Sequence, residues 1–180
     1  MKKIFAIIMA FSLLFVSLLN KESETPFRLF IKNWDYQSQI ETKNGYTYTL
    51  KNGILTVKSL NKNKGVIWQS DREWYITAFA LGDYNKNGFT DITFTLWKKY
   101  SFGKYVPFNQ TNDPERKCHI WVYENTGISL YNVWCSSNLP RAVYSFTLND
   151  EILTMQESEY DSFKLKEYKY YWDNWGFMPF

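Results

Sequence analysis

The stretch Leu81–Trp97, "LGDYNKNGFTDITFTLW", constrains the fold of this chain more than any other. Asp83, Asn85 and Asn87 place a side-chain oxygen at every second position, Gly88 follows, and Asp91 comes three residues later. Beyond it Ile92, Phe94 and Leu96 alternate with Thr93, Thr95 and Trp97, the period of two that sends neighbours to opposite faces of a strand. The loop therefore joins β-strands. Two readings of its polar residues stand open: a loop that wraps a hard cation, or an Asn-Gly turn with solvated carboxylates.

A hard cation such as calcium takes six to eight oxygen ligands at about 2.3–2.6 Å. With Asp83 as position 1, Asn85, Asn87 and Asp91 fall at positions 3, 5 and 9, and Phe89 at position 7 can offer its carbonyl. The first half thus follows an EF-hand loop, but Phe94 replaces the bidentate glutamate at position 12. "GDYNKNGFTDI" resembles the calcium loop of FG-GAP or VCBS-type repeats, the blades of integrin-like β-propellers. The family pattern is Asp-x-Asn-x-Asp-Gly-x-x-Asp/Glu before an apolar strand. "TLWKKYSFGKYVPF" and the ending "YYWDNWGFMPF" are similar to exported bacterial proteins of this group, so the likeness covers roughly Leu50 to Phe180. It implies calcium ligation by Asp83, Asn85, Asn87 and Asp91. Asn87 stands where the family usually has aspartate, which leaves two carboxylates for the ion and weakens binding.

The chain begins Met1-Lys2-Lys3 and continues with an uncharged apolar run, Ile4 to Leu19. A basic start and an apolar stretch form the pattern of a secretory signal or a short anchor. The run spans roughly 24 Å as a helix, short of a comfortable bilayer crossing. Residues 1–20 are read as a signal peptide or membrane anchor, 21–26 as a linker and 27–180 as one domain. The expected location is secreted or anchored on the outer face of the cytoplasmic membrane. A net charge of +3 with scattered lysines gives no electrostatic footprint for nucleic acid. Many Thr, Tyr, Val and Ile residues point to β-structure.

Two hairpins are legible. In "GYTYTLKNGILTVKSL", Asn52-Gly53 supplies the positive-φ pair of a type I′ turn. In "CHIWVYENTGISLYNVWC", Thr126-Gly127 is read as a two-residue turn. Counting outward then sets Asn125 against Ile128, Tyr123 against Leu130 and Cys118 against Cys135. That last pair would be non-hydrogen-bonded, with Cα atoms about 4.5 Å apart, the short end of the disulfide range. A Cys118–Cys135 bridge is therefore expected in an exported protein, against the alternative of two unrelated buried thiols. A repeat is also visible: Trp68-x-Ser70 and Trp134-x-Ser136 each precede a strand, a polar turn and another strand. The units run about 66–131 and 132–180, after a hairpin region at 27–65, within which 27–45 reads as a missing strand or an edge cover. Such a repeat indicates antiparallel four-stranded blade-like sheets, as a partial or small β-propeller or a small β-sandwich. Too few blades are present for a conventional ring. Trp172 and Trp175 then decide whether the last strands complete this chain's sheet or that of a neighbour in a homo-oligomer.

The long connection Lys98–Lys117 carries Tyr100, Phe102, Tyr105 and Phe108 among cationic residues, and Asn109-Gln110-Thr111 fits a glycosylation sequon. Aromatics among polar donors can stack on sugars, grip a peptide, or cover a sheet edge. His119 is the sole histidine, so a His-rich metal site is excluded. "ESEYD" offers Glu157, Glu159 and Asp161 on one strand face, about 6.6 Å apart for neighbours two residues apart. A glycosidase needs two carboxyls about 5–10 Å apart, and Glu157/Glu159 are the candidates. The leading expectation is a non-catalytic, exported or envelope-associated binding module for a protein or carbohydrate ligand, with a structural calcium loop. The alternatives are a secreted carbohydrate-active enzyme of glycoside hydrolase type and a structural subunit joining identical copies.

Overall fold

The computed structural model describes residues 25–84, 86–100, 112–149, 152–160, 164–173 and 175–180. Among the described residues the fold is all-β: three antiparallel four-stranded blade-like sheets and one short helix, without a closed barrel. The first sheet holds β1 (Gln39–Lys43), β2 (Tyr46–Lys51), β3 (Ile54–Ser59) and β4 (Val66–Gln69). The second holds β5 (Tyr75–Gly82), β6 (Thr90–Tyr100), β7 (Asp113–Asn125) and β8 (Leu130–Cys135). The third holds β9 (Ala142–Asn149), β10 (Ile152–Ser158), β11 (Lys166–Trp172) and β12 (Phe177–Pro179). Each is a meander in chain order, so consecutive strands pair through short connections.

The second sheet lies between the other two, and the alternation in β6 accounts for this. Ile92, Phe94 and Leu96 meet Tyr48, Leu50, Leu55 and Val57 of the first sheet. Trp97, from the opposite face, joins Cys118, Ile120, Val143, Leu153 and Met155 in a second core against the third sheet. Every residue from Thr90 to Trp97 is buried. Both faces of this strand are inside the protein, which is why even Thr93 and Thr95 are covered.

The segment 27–45, read as a missing strand or an edge cover, divides: β1 within it supplies the edge strand of the first sheet, and its start belongs to the helix α1 (Pro26–Asn33). Thr25 caps it, accepting from the Arg28 N–H, and Pro26 sits in the first turn, where its missing N–H costs nothing. Phe30 is buried against Trp97, with ring centroids 4.9 Å apart. The helix thus seals the second core.

Asn52-Gly53 makes the expected turn, with φ of 52° and 76° between paired Lys51 and Ile54. Asn44-Gly45 makes another, with φ of 51° and 80°. The second predicted hairpin is corrected. Its loop has four residues, because the Thr126 N–H donates to the Ser129 carbonyl and the Gly127 N–H to Asn125 Oδ1. Asn125 therefore pairs with Leu130, and a bulge at Val122/Tyr123 sets Cys135 opposite Trp121. A displacement by an odd number of residues turns a side chain to the other face. The expected Cys118–Cys135 disulfide is absent: both thiols are free, Cys118 buried in the second core and Cys135 exposed. Mass spectrometry of alkylated, unreduced and unfolded protein is expected to count two labelled cysteines, and a mass lower by two hydrogens with no label would contradict it.

The Trp-x-Ser repeat has a structural basis. Ser70 donates its N–H to the Leu55 carbonyl (2.9 Å) while its Oγ accepts from the Leu55 N–H (3.1 Å). Ser136 repeats both bonds with Ile120, each at 3.0 Å. Trp68 pairs with Val57 and Trp134 with Val122. Each motif thus ends the last strand of one sheet: the serine satisfies both backbone groups of one residue on the neighbouring strand as the chain crosses to the next sheet. The repeat units as read, starting near residues 66 and 132, open on those last strands. Ile152 pairs with Asn149 as in a plain hairpin.

Three contacts bring one set of connections to a common end of the molecule. The Asn44 amide donates to Thr90 Oγ1 at 2.9 Å, Lys64 Nζ reaches the Gly127 carbonyl at 3.4 Å, and Tyr84 stacks on Trp172 at 5.3 Å. The 83–89 loop lies among them. The C-terminal strands complete this chain's own third sheet, and no described helix is long and apolar enough to cross a membrane. Residues 1–20 lie outside the described residues.

Candidate metal centre

The 83–89 loop leaves β5 at Gly82 and enters β6 at Thr90. Asp83 organises it: Oδ1 accepts from the Asn87 N–H (3.1 Å) and Oδ2 from the Gly88 N–H (3.0 Å). Gly88 has φ of +83°, a conformation that side-chain-bearing residues avoid. Asn87 Oδ1 accepts from the Phe89 N–H at 2.9 Å. Tyr84 ties the loop to the protein: its ring is buried against Trp172 and Phe177, and its hydroxyl hydrogen-bonds Thr93. Phe89 is half-exposed, and Asn85 lies outside the described residues.

Asp91 is 1% exposed. Its Oδ2 accepts from the Tyr84 N–H at 2.7 Å, whereas Oδ1 is buried without a hydrogen-bond partner among the described residues. Burial pushes its carboxyl up to about 6; Glu124 and Asp83 add to the rise, and the Tyr84 N–H and Lys43 oppose it. Glu124, from β7, stands directly across the ladder from Asp91 and accepts from the Asn87 amide. Like charges directly opposite on a sheet destabilise it. Sequence reasoning missed Glu124, because its position beside Asp91 depends on the β6–β7 register between residues 33 apart (124 against 91).

Among the described residues, no three His, Cys, Asp or Glu side chains form a cluster able to hold a metal ion by themselves. The loop's donors are mixed: carboxylates of Asp83 and Asp91, the Asn87 amide oxygen and the Phe89 carbonyl. A carboxylate has about four lone-pair sites, so the two N–H bonds to Asp83 leave capacity for a cation. All these donors are oxygens, the chemistry that suits calcium rather than zinc. The donor chemistry fits a hard cation, and among the described residues Asp91 Oδ1 is the one carboxylate oxygen of the set that is buried without a hydrogen-bond partner.

The other candidates are placed differently. Tyr100 ends β6 exposed, while Phe102, Tyr105, Phe108 and the 109–111 sequon fall outside the described residues. Glu157 and Glu159 do not share a strand face, because β10 ends at Ser158. Glu157 is 4% exposed, accepting from the Tyr170 hydroxyl at 2.7 Å. Arg141 joins both carboxylates, at 3.6 Å to Glu157 and 2.8 Å to the exposed Glu159. This clamp holds the β9 end against β10. His119 is buried, and burial lowers its basicity, so it is a packed, neutral ring. A cavity of about 310 Å³ lies between the α1–β1 connection, β5 and β9. Its polar walls are partly tied already: Trp34 Nε1 donates to the Tyr144 carbonyl, and Gln39 accepts from the Phe79 N–H.

No family model, curated protein or solved structure matches this chain.

Proposed function

We propose that this chain is a non-catalytic, exported or envelope-associated interaction module whose 83–91 loop is held by a structural calcium ion, in the manner of FG-GAP or VCBS-type repeats. The observation that carries this reading is Asp91, a carboxylate inside the protein with one oxygen lacking a partner among the described residues and a second carboxylate across the ladder. Leaving an ionised group in that state is costly unless a proton or a cation joins it. Asp83, Asp91, Asn87 and the Phe89 carbonyl would hold the ion, with Asn85 and Glu124 beside them. The ion supplies charge neutralisation and cross-linking of β5 to β6. The blade-like meanders and the reuse of Trp-x-Ser support a repeat protein of this kind.

Asp83→Ala tests the ion directly. Titration calorimetry on the parent protein is expected to give heat with millimolar calcium and a rise in melting temperature. The variant is expected to lose the heat, and its melting temperature in calcium to equal that in chelator. A parent that neither evolves heat nor shifts its melting point refutes the ion.

A further inference from the structure

We propose that the end of the molecule bearing the 83–89 loop docks on a bilayer surface rich in anionic headgroups, inserting apolar side chains from four separate loop tips. Trp175 and Ile128 are the two most exposed large apolar side chains among the described residues, at 86% and 84%. Trp175 crowns the β11–β12 turn, where its N–H is fixed by Asp173, and Ile128 crowns the β7–β8 turn. Leu60 opens the β3–β4 connection, its N–H bound to the Gly45 carbonyl, and Phe89 closes the β5–β6 loop. Both are about half-exposed, at 58% and 47%. All four belong to the end defined by the Asn44–Thr90, Lys64–Gly127 and Tyr84–Trp172 contacts.

These side chains stand on different loops, so they form no groove for a helix or strand. A bilayer interface accepts scattered protrusions, because each needs only depth and no fixed spacing from its neighbours. Tryptophan in particular settles at the headgroup level, with an apolar ring and a polar N–H. Lys62, Lys64 and Lys86 are exposed on the same connections, and basic residues at a membrane surface are drawn to anionic lipid. Asp83, Glu124 and Asp173 oppose that attraction at the same end. Calcium in the loop would offset two of them, so docking is expected to strengthen with calcium. That dependence, and with it the preference for anionic lipid, rests on the metal reading above; the loop-tip contacts do not.

The full chain is mixed with vesicles of phosphatidylcholine, with or without phosphatidylglycerol, in calcium or in chelator. With bromine-labelled acyl chains, tryptophan quenching is expected in the parent and substantially reduced in Trp175→Phe, which keeps an apolar tip but removes that reporter. A Trp175→Ser/Ile128→Ser variant is expected to partition at least tenfold more weakly into the anionic vesicles. Any background from the apolar residues 4–19 is common to all variants. Equal quenching in parent and Trp175→Phe, or partitioning of the double variant within twofold of the parent, overturns the proposal. Calcium heat in lipid-free protein without Trp175 quenching defeats the docking and spares the ion. Quenching that chelator leaves unchanged, with no calcium heat, defeats the ion and sustains the docking.

Discussion

In chelator at neutral pH, Asp91→Asn is expected to unfold later than the parent protein, by about 2–3 kcal/mol. The sign follows from the direction of the shift. The folded state raises this carboxyl from 3.8 to about 6, so the native protein binds the proton more tightly than the unfolded chain does. Stability from that group is fully present below its unfolded value and is lost as pH rises through about 6. At roughly 1.4 kcal/mol per pH unit, a displacement of about two units gives the figure above. Asparagine retains an acceptor for the Tyr84 N–H and can donate to Glu124, removing the repulsion across the ladder. Calcium closes the gap. The parent gains about 2.7 kcal/mol at a concentration 100-fold above its dissociation constant, and the variant gains none. Denaturant unfolding in calcium and in chelator, at pH 7 and pH 4.5, reads all of this. In chelator the difference narrows to about 1 kcal/mol at the lower pH and closes only below the unfolded value of 3.8. A variant less stable than its parent in chelator at pH 7 would show that Asp91 has a partner after all.

Trp97→Ala is expected to cost about 3–5 kcal/mol, the range for emptying a large aromatic site in a core. Trp97 is fully buried, and its ring meets Phe27, Phe30 and Tyr160 with centroids 4.9–5.7 Å apart. The indole is therefore the common surface of α1, the second sheet and the approach to the third. Its N–H has no partner, so the loss is one of packing and apolar burial, not of hydrogen bonding. For a domain of this size the melting temperature is expected to fall by roughly 6–20 °C. Trp97→Phe keeps most of the ring volume and should recover more than half of it. A change under 1 kcal/mol for the alanine variant would mean that α1 does not pack there.

What could be read in the sequence was local. The alternation of β6 and the Asn52-Gly53 turn each depend on a few adjacent residues, and both are where they were expected. The helix α1 was missed: residues 21–26 read as a linker, and the apolar run Phe27, Leu29, Phe30 and Ile31 imitates a strand. The second hairpin misled because a Thr-Gly pair invites a two-residue turn, while the Asn125 side chain binds the Gly127 N–H and lengthens it. With that register went the cysteine pairing. Glu124 could not be found, since only the ladder between β6 and β7 brings it to Asp91. Trp-x-Ser was visible as a repeat, but its use as an end-lock required the backbone bonds of Ser70 and Ser136.

Because Thr90–Trp97 of β6 is covered on both faces, this part of the strand has no route to solvent of its own. Water reaches β6 only after an outer layer departs, so disassembly proceeds from the flanks inward. The 83–91 loop is attached to the innermost layer, and Tyr84 ties it to one flank. A ligand that tightens this loop therefore restrains the earliest opening of the third sheet as well as the last opening of the second.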